Sequence, residues 1–256
     1  MEPISTIVTG YATDKLIDVA ATAVGTHVIE RWSRHRAREF FNAFCLAIAG
    51  TEISDDELRL MLNRLLADEK RSEIVFDAYR SVCLTKSRST GPRVIALLTG
   101  ELVNAESIAD EGEEDIFAAA EQLSDGEFDE FGACVRDCKR KIGTGSKDAP
   151  TVQPNGAIVI MVNEDTTTSN WPSRESRSFG PLDLVEIGTW APKLKQLGLV
   201  SDDVRERQWA FKEDSERHID QDGVAREITW WLTLYKPALR LAELIDRVVP
   251  AARVFK

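Results

Sequence analysis

A chain of 256 residues, 43% hydrophobic and 29% charged, has the composition of an ordinary soluble globular protein, of one large domain or two modest ones. Its net charge of −11, carried mostly by residues 1–150, argues against indiscriminate nucleic-acid binding, because phosphate contacts need clustered positive charge. Four cysteines (Cys45, Cys83, Cys134 and Cys138) sit inside apolar periodic segments, and no secretory signal opens the chain; buried thiols in a reducing cytoplasm are expected.

The first 143 residues read as helices. Thr13 to Ala49 forms one long helix with a kink expected at Gly25. It carries Phe40, Phe41, Phe44, Cys45 and Ile48 on one side and the basic stretch "ERWSRHRAREFF" on the other. Within it, Val19 to Ile29 is small and apolar, but Asp18 and Glu30 bracket it. The run is far shorter than the about 20 residues that span a bilayer. A buried helix segment is the expectation.

"SDDELRLMLNRLL" starts a second helix, with Ser54 and Glu57 at capping-box spacing and Leu58, Met61, Leu62 and Leu65 on one face. The next, near 69–86, turns Val75, Ala78, Tyr79, Val82 and Cys83 inward. Pro92 opens another, with Val94, Leu98 and Leu102 in a stripe; proline suits a first turn, where its missing N–H is not needed. Acidic "DEGEED" precedes Ile116, Phe117, Ala120 and Leu123 and suits the positive end of a helix dipole. Ser124 and Glu127 form a second capping box before Phe128, Phe131, Val135 and Cys138. "CKRKIG" supplies cations in the last turn, with Gly143 as the C-cap. Several helices on short connections imply a bundle over residues 1–143.

Glycines, two prolines and small polar residues in "GTGSKDAPTVQPNG" mark a linker at 144–156 and a second domain at 157–256. There "AIVIMV" (157–162) reads as a buried strand and "EDTTTSNWPSRESRSFGP" as a long loop. "LDLVEIGTWAPKLKQLGLV" gives short helices broken near Gly188 and closing at Gly198. "RQWAF" (207–211) and "EITWWLTL" (227–234) alternate like paired strands around polar "KEDSERHIDQDG". Strand alternation puts Ile228, Trp230 and Leu232 on one face and Trp231 on the other. Pro237 turns the chain into a last helix seated by Leu241, Leu244, Ile245 and Val248. The expected fold class is mainly α: an N-terminal helical bundle followed by a small α+β domain.

The order helix, "LGLV", hairpin, "WLTLYKPALRLAELI" resembles the end of a winged-helix domain, on Leu197, Gly198, Leu199, Leu232 and Thr233 and over roughly residues 182–247. The sequence departs from the pattern where Lys236-Pro237 replaces the usual glycine near the last helix. Winged helices divide between DNA readers and protein-docking modules, so the resemblance implies a fold and leaves the partner open. The general layout also resembles uncharacterised bacterial helical proteins of abortive infection and phage defence.

Catalytic and metal chemistry finds little footing. "GTGSK" has the residue types of a phosphate cradle, but its spacing is wrong and it follows a helix instead of a strand. Neither a Gly-x-Ser-x-Gly elbow nor a His-Glu-x-x-His pair occurs. Cys134 and Cys138 lie one helical turn apart with no local Cys or His pair to complete a tetrahedral site. The expectation is no enzyme, no cofactor and no metal, but a protein that binds macromolecules, a protein partner first, as a sensor or adaptor in anti-phage defence. A winged-helix DNA-binding regulator is the alternative and a membrane-associated effector the third reading. Residues for DNA or partner contact are Lys193, Lys195, Arg205, Arg207, Arg217, His218 and Trp231, among which the acids Glu206, Glu213, Asp214, Glu216, Asp220 and Asp222 are interleaved. The DNA reading requires Lys193, Lys195, Arg205 and Arg207 to form one continuous positive face.

Overall fold

Apolar residues spaced three and four apart become helix, and the β-branched and aromatic runs near the C-terminal end become sheet. The chain is mainly helical, with a small antiparallel four-stranded sheet in its C-terminal part. The computed structural model describes residues 34–49, 60, 67–146, 149–170, 184–212 and 222–248. The segment before Arg34, where a kink is expected at Gly25, and the expected capping box at Ser54 and Glu57 lie outside those residues.

In chain order the elements are α1 (Arg34–Ala49), α2 (Glu69–Leu84), α3 (Thr90–Ala105), α4 (Glu111–Gln122), α5 (Asp125–Thr144), β1 (Thr151–Val152), β2 (Ile158–Asn170), a 3-10 turn (Leu184–Glu186), α6 (Trp190–Gln196), β3 (Val200–Lys212), β4 (Asp222–Leu234) and α7 (Lys236–Val248). They make two compact units: Met1–Ala133 with Pro237–Lys256, and Cys134–Lys236. This division differs from the expected linker at 144–156. Gly143 does not end α5; the helix runs on to Thr144, and Gly145, at φ 62°, is the left-handed residue that closes it. The expected C-terminal domain also loses its last helix, because α7 belongs to the helical unit. Arg240 and Arg247 both pair with Glu101 of α3, and Arg93 donates to the carbonyl of Val248 at 3.5 Å.

Within the helical unit, the stripe on α1 is a core. Phe40 and Phe44 stack at 5.6 Å, Phe41 stacks on Tyr79 of α2 at 5.7 Å, and all four rings are buried. α3 is buried almost all round, Thr99 and Gly100 included, so it is the central helix and not an amphipathic one. Its Thr99 hydroxyl is satisfied by the carbonyl of Ile95 at 2.7 Å. At α4 the local cap is stronger than the acidic run suggests. Asp110 accepts from the Glu113 N–H at 2.8 Å while Glu113 accepts from the Asp110 N–H at 2.9 Å, a full capping box. The expected box at Ser124 and Glu127 also forms.

Gly100 lets α3 approach α1, since a Cβ there would lie 2.6 Å from the Cβ of Ala47. Gly100→Ala should gain about 1 kcal/mol of helix propensity and lose about 1–3 kcal/mol to overpacking, so the net change is a loss. Urea midpoints should show that loss, and Ala47→Gly in the same chain should recover part of it. An additive double variant would rule out the contact.

In the second unit the strand order is β1-β2-β4-β3, all antiparallel. The sheet is far longer than the local signals suggest. "EDTTTSN", read as loop, continues β2 to Asn170, because Asp165 to Asn170 find ladder partners from Ile228 back to Gly223. "SDDVRE", with no alternating pattern, is strand from Val200, paired onto Leu234 through Ile228. β1 lies inside the expected linker and pairs with Ile158 and Val159. Backbone pairing has overridden local preference in all three places.

The "LGLV" turn behaves as a helix stop. Gly198 has φ 74°, its N–H bonds to the carbonyl of Lys195 at 3.0 Å, and the Leu199 N–H bonds to that of Leu194 at 2.9 Å. Leu199 and Val200 are then buried, and Tyr235 N–H donates to the Leu199 carbonyl at 3.0 Å, tying the start of β3 to the end of β4.

Candidate functional site

Residues directly opposite one another in a ladder share a face of the sheet. Val200, Leu234, Leu232, Trp230 and Ile158 share the inner face and are all buried. The expected alternation therefore holds: Trp230 is 5% exposed, Leu232 is fully buried, Ile228 is half-buried, and Trp231 takes the other face.

On that outer face Trp231 sits between Asp203 of β3 and Met161 of β2, its two ladder partners. One step along β3 on the same face is Arg205, whose guanidinium carbon lies 6.0 Å from the Trp231 ring centroid. Asp203 holds it there by accepting from Arg205 Nε at 3.0 Å. Met161 is 43% exposed, Asp203 and Arg205 are exposed, and Trp231 is half-buried. The Trp231 indole N–H has no hydrogen-bond partner among the described residues. A flat aromatic, a thioether and a stacked guanidinium thus lie side by side, flanked by Arg207 two residues further along β3.

The lysines are elsewhere. Lys195 pairs with Asp202 at 2.5 Å, and Asp202 belongs to the inner face with Val200 and Leu232. Lys193 is half-buried on α6. Lys195 and Arg205 therefore do not share a face, and each is held by an acid of β3. The reason is β3 itself: adjacent Asp202 and Asp203 point to opposite sides and recruit one cation each. Arg217 and His218 lie outside the described residues.

Among the described residues of the helical unit, one polar cluster resembles a nucleophile site. His35 Nε2 lies 3.3 Å from the Ser89 hydroxyl and 3.8 Å from Glu39. Both partners meet the same ring nitrogen, whereas a relay needs the carboxylate on the other one. Glu39 is paired with Arg93. The N-terminus of α3 beside Ser89, which could stabilise an oxyanion, is already filled by Asp125. That carboxylate accepts from the Ser87 hydroxyl at 2.5 Å and from the N–H groups of Arg88, Thr90 and Ser89 at 2.8, 2.9 and 3.3 Å. Burial pushes its pKa up, but these bonds, led by Ser87, outweigh it and hold the carboxyl down at about 2. The arrangement is a helix cap made at long range.

Three cysteines are buried (Cys45, Cys83 and Cys138) and Cys134 is half-buried; all four are free thiols. Burial pushes Cys45 up to about 12. Among the described residues no group of three or more His, Cys, Asp or Glu side chains could hold a metal ion. No described helix is long and apolar enough to cross a membrane.

Sequence reasoning found Trp231, Arg205 and Arg207 but not Met161 or Asp203. Met161 sits in a continuous apolar run, which carries no signal for which residues face out. Only the pairing with β4 places it beside Trp231. Comparison with protein-family models, with curated proteins and with solved structures returns no match.

Proposed function

We propose that this is a non-enzymatic bacterial protein of the cytoplasm that works by binding another protein, as a sensor or adaptor in anti-phage defence. The observation that carries the binding part is the outer-face cluster of Trp231, Arg205 and Met161, residue types enriched at protein interfaces. The defence assignment rests on the resemblance in layout alone.

The second unit supplies a winged-helix-like frame for that face. In its favour stand the chain order α5, β2, α6, β3, β4, the placing of β4 between β2 and β3, and the Gly198 stop. A protein-docking winged helix accounts for the cluster better than a DNA reader does. Lys195 and Arg205 are each held by an acid and lie on different faces, so the positive surface a phosphate backbone needs is divided.

Trp231→Ala should leave thermal stability within about 1 kcal/mol of wild type, since the loss of a half-buried ring and its cation–π contact is offset by removal of a buried indole N–H that has no partner. Trp230→Ala should cost about 2 kcal/mol, within a range of about 0–4: about 3–5 for the aromatic and its cavity, less about 1–3 because its buried indole N–H has no partner. In cross-linking from phage-infected cells, Trp231→Ala and Arg205→Glu should both lose a partner that wild type retains. If both folded variants keep every wild-type partner, the docking face is wrong. A duplex-DNA shift that weakens steeply with salt and is abolished by Arg205→Glu would replace this reading with the regulator.

A further inference from the structure

β3 is the last strand of the sheet, and among the described residues no strand pairs with its outer edge. That edge is long, since β3 runs from Val200 to Lys212. The Tyr235 N–H donates to the Leu199 carbonyl at 3.0 Å, so the alternation of an antiparallel ladder turns the backbone groups of Ser201, Asp203 and Arg205 toward β4. Asp202 and Val204 turn theirs the other way, to the open edge. Val204 is 48% exposed there, an apolar residue between charged neighbours. Proteins commonly blunt such an edge with charges that repel an incoming strand. The charges of β3 have a different property: they complement themselves.

We propose that β3 pairs antiparallel with β3 of a second copy, about a two-fold axis between the two Val204 residues, so that the sheet continues across a dimer. Charge sets the register. With Val204 opposite its own copy, Asp203 faces Arg205 of the second copy and Arg205 faces its Asp203, in the closely spaced pairs of the new ladder. An axis at Asp202, Asp203, Arg205 or Glu206 would instead set that residue against its own like charge. The like-charged pair in the Val204 register is Asp202 with Glu206, and Lys195, 2.5 Å from Asp202, stands beside it. A contact of one strand edge is small, so the association belongs to the weak, concentration-dependent class. Across the axis the two β4 strands lie about 14 Å apart, which places two Trp231 clusters on one face.

Sedimentation velocity of the purified full chain, from about 1 µM to about 1 mM, should show monomer passing into dimer. Val204→Pro removes an N–H that points away from β4, and strand edges tolerate proline; this variant should fold by circular dichroism and stay monomeric. Arg205→Glu sets two carboxylates opposite each other, and Asp203→Lys sets two cations. Each alone should weaken dimerisation about tenfold or more. Mixed in equal amounts they should regain it, because the mixed pair has opposite charges at both contacts. A merely damaged strand would not recover on mixing. A wild-type chain that stays monomeric throughout, a folded Val204→Pro that still dimerises, or a mixture no tighter than its parts overturns the proposal.

Discussion

Trp190→Ala is expected to destabilise the protein by about 3–5 kcal/mol, the cost of deleting a fully enclosed aromatic whose site cannot collapse. Trp190 is 1% exposed at the start of α6, and Ala191, Leu194, Leu199 and Val200 along the same stretch are buried as well. The backbone ahead of it is shaped to its ring. Gly188 has φ 154°, and a Cβ there would lie 2.6 Å from Trp190 Cδ1. Gly188→Ala should therefore cost about 2 kcal/mol or more, from the indole it displaces and from a backbone conformation that L-residues rarely adopt. In a Trp190→Ala background the same substitution should cost less, because the displaced ring is gone. Thermal and urea unfolding of the four chains tests this; equal costs of Gly188→Ala in both backgrounds would mean that only the backbone angle matters.

The second large effect belongs to Asp125. Asp125→Ala removes the acceptor for a fully buried Ser87 hydroxyl and for three backbone N–H groups at the start of α3. Unsatisfied donors and a lost charged acceptor together predict a loss of about 3 kcal/mol at neutral pH. Because the carboxyl is held at about 2 in the folded chain against an ordinary 3.8, its contribution is complete above 3.8 and fades as pH falls through about 2. Taken whole, the difference is worth roughly 2.4 kcal/mol; water screens this half-buried group, so about 1–2 kcal/mol should be pH-dependent. The gap in stability between wild type and Asp125→Ala should narrow between pH 5 and pH 2. A gap that stays constant over that range would show that the carboxylate's charge contributes nothing.

Neither Asp125 nor the outer-face cluster can be read locally. Asp125 looks like one more acid in a helix's first turn, and nothing in the chain says that its carboxylate reaches Ser87, Arg88, Ser89 and Thr90 at another helix's start. Met161 is hidden in an apolar run, and Asp203 in a segment with no strand pattern. Trp231 was legible because alternation around Trp230 and Leu232 assigns it a face without knowledge of its neighbours. Arg205 was legible only as a charge. That it stacks on Trp231, while Lys195 turns away toward Asp202, depends on the β3–β4 register.

The sequence by itself determined the helical character of the first part, the caps at Ser124 and Gly198, the α1 aromatic core and the inner face of β4. Each of these rests on residues within a turn or two of one another, where spacing and side-chain chemistry set the outcome. Only the tertiary structure decided the length of β2 and β3, the assignment of α7 to the helical unit and the company Trp231 keeps. Those depend on backbone groups and charges that find partners far along the chain: Asp165 on Ile228, Arg240 and Arg247 on Glu101, Met161 and Asp203 on Trp231. A ladder bond or an ion pair forms wherever the fold brings its two halves together, and neither half alone carries the other's address.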